Sequence, residues 1–93
     1  MQPELFAEVT LYPTGGRRGP IIGPKYGCPC KLAKDAPDAR DCRILLEGKP
    51  LLLGTPRKVG FVFLSRDSAD IFKAARRFYL WEGGIIGEAT VVD

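Results

Sequence analysis

Histidine is absent from all 93 residues of the chain. That removes the commonest general base, the commonest metal ligand and every Ser-His or Cys-His nucleophilic pairing. Cysteine is scarce as well, limited to Cys28, Cys30 and Cys42. An odd number cannot pair completely within one chain, so these read as reduced thiols in the cytosol and not as a disulfide framework. No apolar run approaches the about 20 residues that a bilayer span needs. The longest, around Ile44–Leu53, is broken by Glu47, Gly48, Lys49 and Pro50. The opening Met1-Gln2-Pro3-Glu4 has neither a basic nor an apolar leader region, so a cytoplasmic location with no membrane partner is expected. Neither sign of charge dominates, since 14 Lys and Arg stand against 11 Asp and Glu. The resulting net charge of +3 does not by itself imply a nucleic-acid partner.

What remains is an ordinary soluble composition, 45% hydrophobic and 27% charged. It is too apolar and too nearly neutral for a disordered chain. The length fits one domain over residues 1–93, and a chain this small buries only about 60–65% of the surface its unfolded form exposes. Eleven glycines and eight prolines argue for many turns and against a helix bundle.

Periodicity gives the elements. Leu5, Ala7, Val9 and Leu11 alternate with Phe6, Glu8, Thr10 and Tyr12, the pattern of a half-buried strand that Pro13 stops. Thr14–Pro20 is a loop in which Gly15 and Gly16 supply turn conformations. Ile21–Lys34 reads as extended chain interrupted by Gly23, Pro24, Gly27 and Pro29, so a bulged strand or a sheet edge is expected. Lys34–Asp41 is polar and aperiodic, an exposed loop. Cys42–Leu46 is a short strand, and Glu47–Pro50 is a turn. Leu51–Leu53 is a brief apolar run ahead of the turn Gly54–Pro56. Lys58–Leu64 is a strand with Val59, Phe61 and Phe63 on one face. Ser65–Ala75 is the one helical candidate, with Ser65 or Asp67 as cap and Ala69, Phe72 and Ala75 on a shared face. Arg77–Trp81 and Ile85–Val92 flank Glu82-Gly83-Gly84 as a hairpin. About six short strands predict an all-β protein, a small closed antiparallel barrel with at most one short helix.

Two segments carry a more specific likeness. Phe6-Ala7-Glu8-Val9 leading into Gly15-Gly16-Arg17 and Pro20-Ile21 resembles the opening of the C-terminal, third β-barrel domain of elongation factor Tu. Arg77-Phe78-Tyr79-Leu80-Trp81-Glu82-Gly83-Gly84, followed by Gly87 and Val91, is similar to the last hairpin of that domain. The likeness runs from about Leu5 to Val92 and implies the same barrel, with the first strand beside the final hairpin. It departs in places. Ile85 stands where the family has an arginine, and the family's Gly-Tyr-Arg-Pro-Gln stretch survives only as Tyr26-Gly27-Cys28-Pro29. The family's GTPase and middle-barrel domains have no counterpart in the chain, which also lacks a Gly-Lys-Ser/Thr phosphate loop, so no nucleotide is expected.

The resemblance implies a non-enzymatic, translation-related binding module with no cofactor. Its candidate contact residues are Gly15, Gly16, Arg17 and Arg18 in the first loop, and Glu82 and Gly83 in the hairpin tip. In the family that tip lies along the backbone of a tRNA stem, and the arginine loop faces the GTPase domain. The bland alternative for Glu82–Gly84 is a tight turn that closes the barrel. A protein partner is expected first, because the RNA-facing positions are only partly retained. Structured RNA comes second, and a homodimer through Ile21 and Ile22 is a further option. Arg17, Arg18, Lys25, Arg57, Lys58, Arg66, Arg76 and Arg77 form a phosphate-gripping patch only if the barrel brings them together. A competing reading takes Cys28, Cys30 and Cys42, with Asp41 as an oxygen donor, for a zinc site or the centre of a small enzyme. Against it stands the reading of these residues as buried free thiols.

Overall fold

The computed structural model describes residues 2–92. The chain forms β1 (Leu5–Leu11), β2 (Lys25–Lys31), β3 (Arg40–Leu45), β4 (Arg57–Phe63), helix α1 (Ser68–Ala75), β5 (Arg77–Trp81) and β6 (Ile85–Val91). The six strands close into a barrel in the order β1-β4-β3-β2-β5-β6, every pairing antiparallel. The closing seam joins β1 to β6, with Ala7 opposite Val91 and Leu11 opposite Gly87. The all-β barrel expected from the sequence is therefore the observed fold, and its first strand does lie beside the final hairpin.

Alternation fills the lumen. Leu5, Ala7, Val9 and Leu11 of β1 are fully buried, while Glu8 between them is exposed. Val59, Phe61 and Phe63 of β4 point inward, as do Phe78 and Leu80 of β5. A barrel this narrow must be packed solid by its own side chains. The centre is aromatic: Phe61 and Phe78 meet edge to face at 5.2 Å, and Phe78 lies 4.7 Å from Phe72. Phe72 comes from α1, stacks on Phe63 at 5.1 Å and is fully buried, so the helix plugs one mouth of the barrel.

The helix is shorter than its sequence pattern suggested. Asp67 sits at its N-cap, but its side chain makes no capping bond, and its carboxylate instead accepts from Arg40 at 3.2 Å. Arg76 turns left-handed (φ 68°) and ends the helix, which leaves Ala75 exposed instead of on the buried face with Ala69 and Phe72. The stretch Ile21–Lys34 also departs in part from expectation. Ile21 makes an isolated bridge to Leu51, and β2 begins only at Lys25. In the strand order β2 lies between β3 and β5, but its residues from Lys25 to Pro29 are paired with β3 alone and so are edge-like on the other side, as the interrupting glycine and proline suggest. Pro29 is accommodated because the ladder to β5 is confined to Cys30 and Lys31, after the residue that lacks an N–H. No helix among the described residues is long and apolar enough to cross a membrane.

Two glycines near the seam serve different ends. Gly83, at the hairpin tip, has φ +72° with open space around it. Gly87 has an ordinary φ, but a Cβ there would meet the Thr10 carbonyl oxygen at 2.7 Å and Leu11 Cα at 3.1 Å. Replacing Gly83 with alanine should cost about 1 kcal/mol for the left-handed backbone, with valine costing about 1–2 kcal/mol or more. Gly87→Ala should cost more than Gly83→Ala, about 1–3 kcal/mol, because backbone must move to relieve the contact. Thermal or urea melts of the variants check that ranking, and a Gly87→Ala protein that melts like wild type would show a slack seam.

Candidate functional site

Strand direction divides the loops between two ends. The β1–β2 loop, the β3–β4 connection and the β5–β6 turn gather at one end, while α1 and the β2–β3 loop occupy the other. The two segments singled out in the sequence, Gly15–Pro20 and Glu82–Gly84, therefore share an end.

Arg17 joins them. Its NH1 lies 2.6 Å from Glu82 Oε2, across a sequence separation of 65 residues. The same guanidinium folds its own loop: Nε donates to the Gly19 carbonyl at 3.1 Å and NH2 to the Pro20 carbonyl at 3.2 Å. Tyr26, the second residue of β2, completes the cluster. Its hydroxyl donates to Glu82 Oε2 and accepts from Arg17 NH1 at 3.3 Å, and its ring lies 5.6 Å beneath the guanidinium carbon. Gly16 lets the loop lie against β6, since a Cβ there would stand 3.0 Å from the Ile86 carbonyl oxygen. Arg17 and Glu82 keep only 25% of their side-chain surface exposed. The carboxylate thus receives two bonds in partly dry surroundings, where charge-assisted bonds are at their strongest.

Each expected contact residue can now be placed. Arg17 is held against Glu82, Gly16 lies against Ile86 of β6, Gly15 is exposed with open space around it, and Gly83 forms the exposed hairpin tip. Arg18 is exposed on the same loop. Glu82-Gly83-Gly84 does form the tight turn of the bland reading, with the Glu82 N–H donating to the Gly84 carbonyl at 2.8 Å and Gly83 at φ +72°, and the Glu82 carboxylate is in addition bonded to Arg17 and Tyr26. Tyr26 joins the site without a local sequence signal, since its partner Glu82 lies 56 residues away.

The basic residues do not form one patch. Arg17, Arg18, Lys25 and Arg57 belong to the loop end, whereas Arg66, Arg76 and Arg77 lie at the helix end. Arg57 donates to the Lys49 and Leu46 carbonyls, both at 2.7 Å, and so braces the β3–β4 connection. Lys58 rests on the outer face of Phe6, 5.0 Å from its centroid. Tyr79 and Trp81 are both half-buried on the outer wall, alternating with the buried Phe78 and Leu80, and Lys31 Nζ lies 5.2 Å from the Trp81 ring centroid.

The three cysteines all face the lumen and are buried. Asp41 alternates to the exposed side of β3, so it cannot complete a ligand set with them. Among the described residues, no group of three or more His, Cys, Asp or Glu is placed to hold a metal ion. Burial, with Cys42 close by, pushes the Cys28 thiol up to about 12, so it stays protonated at neutral pH.

The Arg17–Glu82 pair and the buried Cys28 thiol each bear on stability. Arg17→Ala and Glu82→Ala should each cost about 1–3 kcal/mol, with the double variant about 1 kcal/mol short of their sum. Urea titrations of the four proteins check the coupling, and strict additivity would mean that the pair contributes nothing to stability. The folded pKa of Cys28, about 12, lies above the ordinary 9.0, so the stability gained by burying it neutral is whole below pH 9 and drains away from there to pH 12. Melting temperature should fall over that range less steeply in Cys28→Ala than in wild type; parallel curves would contradict the assignment.

No protein-family model matches the chain, and a search of curated proteins finds no match.

Proposed function

We propose that the chain is a non-enzymatic, cytoplasmic binding module whose contact surface is the loop end of the barrel, and that its partner is a protein. The observation that carries this reading is the Arg17–Glu82–Tyr26 cluster, which holds two loops in one rigid face. A pre-ordered face loses less entropy on association than mobile loops would. Beside it, the bridge between Ile21 and Leu51 turns both of those side chains inward, so their neighbours Ile22 and Leu52 are thrust out, 72% and 51% exposed. Large aliphatic side chains held in solvent beside an ordered polar cluster suit a docking surface. Arg18, Lys25 and Lys49 are exposed at this end, against Glu47, which favours a partner that is apolar with acidic flanks. The resemblance to the elongation factor Tu barrel supports a role connected with translation.

Structured RNA is the second reading, favoured by the same basic side chains. It is the weaker of the two, because Glu82 already neutralises Arg17 and Arg57 is turned to backbone carbonyls. Few cations then remain to displace the counterions of a phosphate backbone.

Capture from cell lysate, with and without nuclease, tests the proposal on wild type, Ile22→Asp, Leu52→Asp and the barrel-wall control Arg43→Asp. Partners should survive nuclease, bind the control as they bind wild type, and be lost by at least tenfold with either aspartate at the loop end. Loss on nuclease treatment would install the RNA reading, and recovery of the chain alone as a dimer would make the surface a self-interface.

A further inference from the structure

Away from the loop end, the lumen holds two thiols in contact. Cys30 of β2 and Cys42 of β3 are diagonal neighbours in a register that sets Cys28 opposite Cys42 and Cys30 opposite Arg40. Both are buried, and their Sγ atoms lie 2.9 Å apart. A disulfide requires about 2.05 Å, so the sulfurs have only about 0.9 Å left to travel. Cys28 is the direct register partner of Cys42, yet its thiol is aimed elsewhere, toward the Trp81 carbonyl at 3.5 Å and the Pro29 carbonyl at 3.4 Å. The odd cysteine thus has its own place, outside the pair.

The pair lies under a surface cavity. This cavity of about 160 Å³ lies between the β2–β3 loop and α1, its wall formed in part by Cys30, Ala36, Pro37, Arg40 and Phe72. A water takes about 30 Å³ of liquid, so a molecule the size of hydrogen peroxide fits. Cys30 lines this space and Cys42 does not, but Cys30 is 0% exposed, so an oxidant reaches its sulfur only when the β2–β3 loop or α1 opens locally.

We propose that Cys30 and Cys42 are a peroxide-oxidisable dithiol, with Cys30 the sulfur that meets the oxidant and Cys42 the thiol that resolves it. In the first step Cys30 loses its proton to water and attacks a peroxide oxygen. The O–O bond breaks, Cys30 becomes a sulfenic acid, and the departing hydroxide takes up the proton. In the second step the Cys42 sulfur attacks Cys30 Sγ. The S–S bond forms, the S–O bond breaks, and hydroxide leaves with the Cys42 proton as water. Two thiols lose two electrons and one peroxide becomes two waters. Burial holds the Cys30 thiol well above its ordinary pKa, so the thiolate is rare and oxidation is a slow change of state, not a turnover. The new bond would tie β2 to β3 where their connecting loop leaves the barrel, at the floor of the cavity.

The experiment treats the folded protein with hydrogen peroxide, blocks remaining thiols by alkylation in denaturant, and maps the products by mass spectrometry. The expected product is a Cys30–Cys42 linked peptide, lighter by two hydrogens, with Cys28 alkylated. It should be reversed by dithiothreitol and should raise the melting temperature by about 5 °C or more. Cys28→Ser should form the same bond, while Cys30→Ser and Cys42→Ser should not. Mapping of the wild-type protein identifies the bonded sulfurs even if a variant fails to fold. A disulfide that includes Cys28, Cys30 oxidised to sulfinic acid beside an intact Cys42 thiol, or three unmodified thiols in the folded protein would each overturn the proposal.

Discussion

Closure of the β1–β6 seam is the constraint on which the rest depends. Once the six strands close on one another, β1 and β6 are no longer free edges, and the lumen must be filled by what the strands themselves project inward. Four phenylalanines, three from the wall and Phe72 from the helix, form the aromatic part of that filling among the aliphatic side chains. The seam itself is tight enough that only glycine fits at position 87, where β6 presses on the backbone of β1.

Closure also decides which loops meet. With the strand order set, the β1–β2 loop and the β5–β6 turn become neighbours, and Arg17 can reach Glu82. The arginine satisfies two carbonyls of its own loop, a tyrosine hydroxyl and a carboxylate at once. The Thr14–Pro20 loop, which carries Gly15, Gly16 and Gly19, is braced by one side chain. Beside it, the bridge that turns Ile21 and Leu51 inward leaves Ile22 and Leu52 in solvent.

The same geometry governs the thiols. Alternation along β2 and β3 sends Cys28, Cys30 and Cys42 into the lumen, where burial favours the protonated form. Antiparallel register then places Cys30 diagonal to Cys42, close enough for their sulfurs to touch. A chain whose composition argues against a disulfide framework still carries one pair shaped for a single bond.

What the sequence by itself determined is whatever depends on near neighbours. The period-2 patterns of Leu5–Leu11 and Val59–Phe63 mark strands and their inward faces, and Glu82-Gly83-Gly84 marks the hairpin. Such patterns are legible because side-chain direction alternates along any strand whatever its partners. Strand order and register are not written locally. The exposed Ala75, the position of β2 between β3 and β5, and the burial of Glu82 against Arg17 and Tyr26 all follow from which strands meet. Contacts such as Arg17 to Glu82, 65 residues apart, exist only after the barrel has closed, because the separation between their side chains is fixed by the path of the strands and not by the residues beside them.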